Sequence, residues 1–165
     1  MTKFLLAVHV LAAIVAIGPV TVAASMFPPA ARRALASPDD PGAVETVRLL
    51  LRICRVYAAV GVVVPVFGFA TARNMGVLGD TWLIVSIALT ALAALVLVAL
   101  VLPRQAAIAE AFETRAAPEG GSGGVTVTAA ARATVRLAMV TGLFNLLWAA
   151  VTVLMIVRPG STTGA

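Results

Sequence analysis

Trp82-Leu83-Ile84-Val85-Ser86-Ile87-Ala88-Leu89-Thr90-Ala91-Leu92-Ala93-Ala94-Leu95-Val96-Leu97-Val98-Ala99-Leu100-Val101-Leu102 contains no charged side chain. A helix rises about 1.5 Å per residue, so this stretch crosses a hydrocarbon layer of about 30 Å. Three more runs have the same character: Phe4–Phe27, Val56–Ala72 and Leu137–Val157. The run from Val56 is shorter, but Leu49–Leu51 and the aliphatic stems of Arg52 and Arg55 extend it. In lipid every backbone N–H and C=O must be satisfied within the fold, which leaves helices or closed barrels. Barrel strands alternate in polarity, and these runs do not. The sequence therefore predicts an all-α, multi-pass membrane protein. Four transmembrane helices, over about 4–27, 49–72, 81–102 and 135–157, pack as an antiparallel bundle in one domain.

Composition agrees. Hydrophobic residues make up 61% of the chain and charged ones 12%, with a mean hydropathy of +1.06. Soluble domains carry about 25% charged residues, and half of that does not cover a water-facing surface. The first run is longer than the 7–15 residues of a signal-peptide core, so it reads as a retained span. Cys54 is the only cysteine, which rules out an intrachain disulfide and a cysteine-based zinc site.

Charge sets the expected orientation. Arg32, Arg33, Arg48, Arg52, Arg55, Arg104, Arg115, Arg132 and Arg136 flank one side of the four runs, and only Lys3, Arg73 and Arg158 flank the other. Nine cations against three place the first side in the cytoplasm. Both termini are then extracytoplasmic, in a bacterial plasma membrane. Arg48, Arg52 and Arg55 fall at i, i+4 and i+7, one helix face, and Arg132 and Arg136 repeat the spacing. These five form an expected collar for anionic lipid headgroups. The net charge of +5 lies mostly in that collar and calls for no nucleic acid.

Between the runs, Pro28–Ala43 reads as a turn-rich loop, with helix resuming near Gly42 and running unbroken into the second span. Arg73–Asp80 reads as a tight turn with Asp80 as an N-cap. Arg104–Ala117 reads as an extension of the third helix. A flexible cytoplasmic linker is expected over 118–128 and a disordered tail over 159–165.

Few polar groups lie inside the spans. All seven acids fall in loops, so the carboxylate relay of pumps is missing. Ser86, Thr90, Thr141 and Thr152 have an ordinary outlet in their own helix carbonyls. Asn145, with Thr141, Trp148 and Thr152 on its face, reads as interhelical glue or as lining of a substrate path. His9, the only histidine, shares a face with Ala12, Ala13 and Ala16. Small residues at such spacing admit a second helix, so His9 is expected to point into the bundle and bond a protein group such as Tyr57 or Asn145. Ala12, Ala16, Gly18, Gly61 and Gly68 are the expected close-packing residues. Pro19 and Pro65 should bend helices one and two.

The segment Val8-His9-Val10-Leu11-Ala12-Ala13-Ile14-Val15-Ala16-Ile17-Gly18 resembles the first helix of a family of predicted bacterial integral membrane proteins of unknown function, built of four helices. More distantly it resembles the copper-resistance D membrane domain and the membrane-bound protoporphyrinogen oxidase. The resemblance carries over His9 and Gly18 alone. It implies haem or copper as the cofactor at His9; because the chain has one histidine, a methionine (Met26, Met75 or Met139) or a second protomer would have to supply the other ligand. Otherwise no cofactor and no catalytic residue is assigned. The leading expectation is a non-enzymatic accessory or interaction protein whose partners are the bilayer, a second copy or another membrane protein. A haem or copper protein and a small transporter are the alternatives.

Overall fold

The computed structural model describes residues 2–37, 40–116 and 123–160. Among them there is helix and turn but no strand. The helices are α1 (Thr2–Ala36), α2 (Pro41–Val60), α3 (Val63–Met75), α4 (Thr81–Leu95), a π-helical turn (Val96–Val101), α5 (Leu102–Ala116) and α6 (Gly123–Val157). They assemble into four long apolar rods over Lys3–Ala36, Pro41–Met75, Thr81–Phe112 and Ala131–Val157. This is a four-span helical membrane protein.

Proline explains each irregularity. Pro19, Pro28 and Pro29 all lie within α1, so the expected loop over Pro28–Ala43 is helix as far as Ala36. A proline inside a helix costs about 3 kcal/mol. Here the backbone is held on both sides of the pair, because Phe27 and Ala31 are fully buried. The second rod starts at Pro41 and runs unbroken into the span, and the bend expected of Pro65 is a full interruption. It breaks at Gly61–Val62, between α2 and α3, because Pro65 has no N–H for the carbonyl of Gly61. That carbonyl takes the Val64 N–H instead, at 3.1 Å. In the third rod Pro103 follows the π-turn by two residues. Its ring crowds the carbonyl of Ala99, and a turn with i→i+5 bonding is a known way to absorb such an intrusion.

The turn between α3 and α4 forms at the expected place. Gly76 ends α3 with φ 71°, a left-handed conformation that glycine adopts without penalty. Asp80 occupies the N-cap position but makes no side-chain cap. Its carboxylate accepts from Trp82 Nε1 at 3.0 Å instead. Of the expected linker, Gly123 and the residues after it belong to α6. Its part at 118–122 and the tail at 161–165 lie outside the described residues.

α1 packs against α2, α3 and α6; α6 also packs against α4, and α5 against α2. The rods thus form a ring in chain order. Its main core joins Phe27 and Ala31 of α1, Val47 and Cys54 of α2, Val101 at the π-turn, Ile108 and Phe112 of α5, and Leu137 and Phe144 of α6. A smaller core of Ala72, Val77, Trp82 and Leu83, with Met75 and Met155 against it, sits at the α3–α4 turn. Large apolar side chains cover the outside, including Phe4, Ile14, Val66, Leu146 and Ile156. Such a surface belongs in lipid.

The rods are longer than the membrane is thick. A span such as Pro41–Met75, 35 residues, measures about 52 Å. Arg55 and Arg73 are eighteen positions apart, about 27 Å along a helix, which matches the hydrocarbon thickness. The surplus therefore lies toward the α1–α2 connection. There the periodic buried set Ala43, Val47, Leu50, Leu51 and Cys54 continues the bundle toward that connection.

Candidate functional site

Three polar features stand out against the apolar rods. The first is His9. Its Nδ1 lies 3.0 Å from the carbonyl oxygen of Val64, so the ring N–H donates to the α3 backbone. The partner is neither Tyr57 nor Asn145. The approach depends on Gly68, where a Cβ would stand 2.9 Å from His9 Cε1. Of the other small residues, Ala16 is buried and Ala12 half-buried. Gly18 is exposed, with nothing within 4 Å of a Cβ placed on it, and the nearest atoms to a Cβ on Gly61 would be the carbonyl oxygens of Tyr57 and Ala58, both at 3.2 Å. Gly61 therefore serves the helix break, and Gly68 serves the contact with α1.

The second feature is a basin of about 450 Å³ lined by Arg48, Arg52, Arg55, Leu51, Val56 and Ala109. The i, i+4, i+7 spacing on α2 builds one wall, and α5 supplies Ala109. Arg48 also reaches Glu45 at 3.4 Å, an exposed pair of small energetic value. Arg132 and Arg136, the other members of the expected collar, are exposed on α6 and do not line this basin.

The third feature is the α6 face carrying Thr141, Asn145 and Trp148. Asn145 Nδ2 donates to Ser25 Oγ of α1 at 2.9 Å. Thr141 Oγ1, Asn145 Oδ1 and Trp148 Nε1 are buried, with no hydrogen-bond partner among the described residues. Ser86, Thr90 and Thr152 do take the ordinary outlet, each donating to the carbonyl four residues back; Thr141 does not.

With this geometry in hand, the chain compares with one family throughout its length. The profile of a family described as predicted integral membrane protein, DUF2269, matches residues 3–159. The chain belongs to that family. The DUF2269 match covers all four rods, so His9, the α2 arginines and Asn145 all lie inside it. No curated protein and no solved structure matches this DUF2269 chain.

The residues around His9 do not make a haem or copper site within one chain. With Nδ1 engaged, Nε2 is one available ligand atom. Met26 and Met139 are exposed. Met75 lies seven positions beyond Gly68, about 10 Å of helix rise away, and packs in the small core at the α3–α4 turn. Among the described residues no three His, Cys, Asp or Glu side chains converge.

The sequence did not flag Gln105. It is fully buried, and its Nε2 lies 3.6 Å from Cys54 Sγ. The visible signal was an amide only three positions past the apolar run, with Pro103 and Arg104 between them.

Proposed function

We infer that this DUF2269 protein is a non-enzymatic plasma-membrane protein that works by binding, as an accessory or interaction subunit that grips anionic phospholipid with α2. The observation behind this reading is the arginine-lined basin. Its cationic wall of Arg48, Arg52 and Arg55 runs directly into the apolar wall of Leu51, Val56 and Ala109. Guanidinium groups pair with phosphate in a forked geometry, and the apolar wall lies where acyl chains begin. A single arginine near an anionic leaflet contributes about 1 kcal/mol. Replacing Arg55 with Gln should therefore lower the preference for phosphatidylglycerol over phosphatidylcholine about five-fold, read by native mass spectrometry of lipid adducts. An unchanged preference would remove the basin from the account.

The same reading puts the α1–α2 connection in the cytoplasm and both termini outside, on the balance of nine cations to three. In a Cys54→Ser background, a cysteine at Gly79 should react with an impermeant maleimide on intact cells. A cysteine at Ser37 should react only after lysis. The opposite pattern reverses the orientation.

A further inference from the structure

The unpaired groups of α6 have a defined demand. Thr141, Asn145 and Trp148 stand at i, i+4 and i+7, one face of the helix, and that face meets α1 at Ser25. Thr141 is only 3% exposed, yet its hydroxyl bonds neither its own helix nor a neighbour among the described residues. Turning the Asn145 amide by 180° exchanges which of its atoms bonds Ser25 and still leaves one unpaired. An unpaired polar group in hydrocarbon costs several kcal/mol. Three on one face therefore mark a place where a further group binds.

The chemistry of that group follows from the inventory. With the Asn145 Nδ2 on Ser25, as the structure places it, the Trp148 indole only donates, the leftover Asn145 oxygen only accepts, and the Thr141 hydroxyl does either. An ammonium would serve only the acceptor, and a carboxylate only the donors. A small neutral group that both donates and accepts serves all three, and a hydroxyl is the smallest such group. On α1, Pro28 and Pro29 have no N–H to give the carbonyls of Ala24 and Ser25, which removes two helix bonds next to Ser25. Access is from the side. Ser25 is exposed and Asn145 and Trp148 are only half-buried, while the three unpaired atoms themselves are covered, so an occupant enters past side chains that give way at the contact between α1 and α6.

We propose that Thr141, Asn145 and Trp148, with Ser25 opposite, form an intramembrane binding site for a neutral hydroxyl group. The occupant is either water or the glycerol hydroxyl of a lipid headgroup. The site is separate from the arginine basin and does not depend on it.

Two tryptophans make the test direct. The full chain, labelled with 15N-tryptophan, is placed in nanodiscs of phosphatidylcholine alone or of phosphatidylcholine with phosphatidylglycerol. Trp148→Phe assigns its indole N–H signal. The Trp148 indole proton should resonate downfield, as hydrogen-bonded, and exchange magnetisation with its occupant. Transfer from water in phosphatidylcholine alone identifies water. A bonded signal that appears only with phosphatidylglycerol, the lipid with free hydroxyls, identifies the headgroup. In Thr141→Val and Asn145→Leu the transfer should be lost while the Trp82 signal, held by Asp80, stays in place as a control of folding. An indole that resonates upfield as a free N–H in both lipids, with no transfer, overturns the proposal. So does transfer that survives both substitutions.

Discussion

Trp82→Ala should be the most damaging single substitution at the end of the bundle away from the arginine basin. Trp82 is 6% exposed and anchors the small core with Ala72, Val77 and Leu83. Its indole N–H donates to Asp80 at 3.0 Å. The Arg158 guanidinium stands 5.8 Å from the ring centroid, within cation–π range, while Arg158 Nε donates to the Met155 carbonyl. One side chain thus ties the start of α4 to the end of α6. In soluble cores a buried Trp cut to Ala costs about 3–5 kcal/mol. Lipid weakens the transfer part of that cost, so the loss should fall toward about 3 kcal/mol. Thermal unfolding in detergent should show it as a clear drop in midpoint. Trp82→Phe keeps most of the packing but loses the Asp80 bond, and should fall between the two. Equal stability of all three proteins would show that the latch holds nothing.

The second large effect is expected at Gly68. A Cβ there would lie 2.9 Å from His9 Cε1 and 3.2 Å from Nδ1. Ordinary contacts begin well beyond that, so the imidazole must swing away and release the Val64 carbonyl. Gly68→Leu adds overpacking, about 1–3 kcal/mol, to a stranded polar ring, about 1–3 kcal/mol. The sum should exceed about 2 kcal/mol. A double-mutant cycle isolates the cause. In a His9→Ala background the obstructing ring is gone, and Gly68→Ala should cost much less than in the native chain. If Gly68→Ala costs the same in both backgrounds, the glycine is not there for His9.

Both predictions rest on features of different legibility. The spans were plain from sequence because an unbroken apolar run long enough to cross a bilayer is satisfied by lipid and by little else. The turn from Arg73 to Asp80 was equally plain from its glycines and its flanking polar residues. Pro28-Pro29 misled, because local preference reads a proline pair as a loop, whereas Phe27 and Ala31 bury the backbone around it. Pro65 announced a bend in helix two, but the break falls at Gly61–Val62, because a proline acts on the carbonyl four residues upstream of itself. His9 was visible as an anomaly but its partner was not, because every residue carries a carbonyl and sequence does not mark which one is used. The α6 face was visible as a polar stripe. That Thr141 declines the outlet taken by Ser86, Thr90 and Thr152 emerges only from side-chain positions.

The π-turn at Val96–Val101 sets the two halves of the third rod at different angles. A helix advances about 100° per residue, and a wide turn accommodates an extra residue. The stripe that α4 shows to α6 is therefore out of phase with the stripe that α5 shows to α2. The third rod works as two dials on one spindle. Because α5 and the π-turn also touch α6, the fourth rod gears the two dials together, and a substitution that turns one is felt at the other.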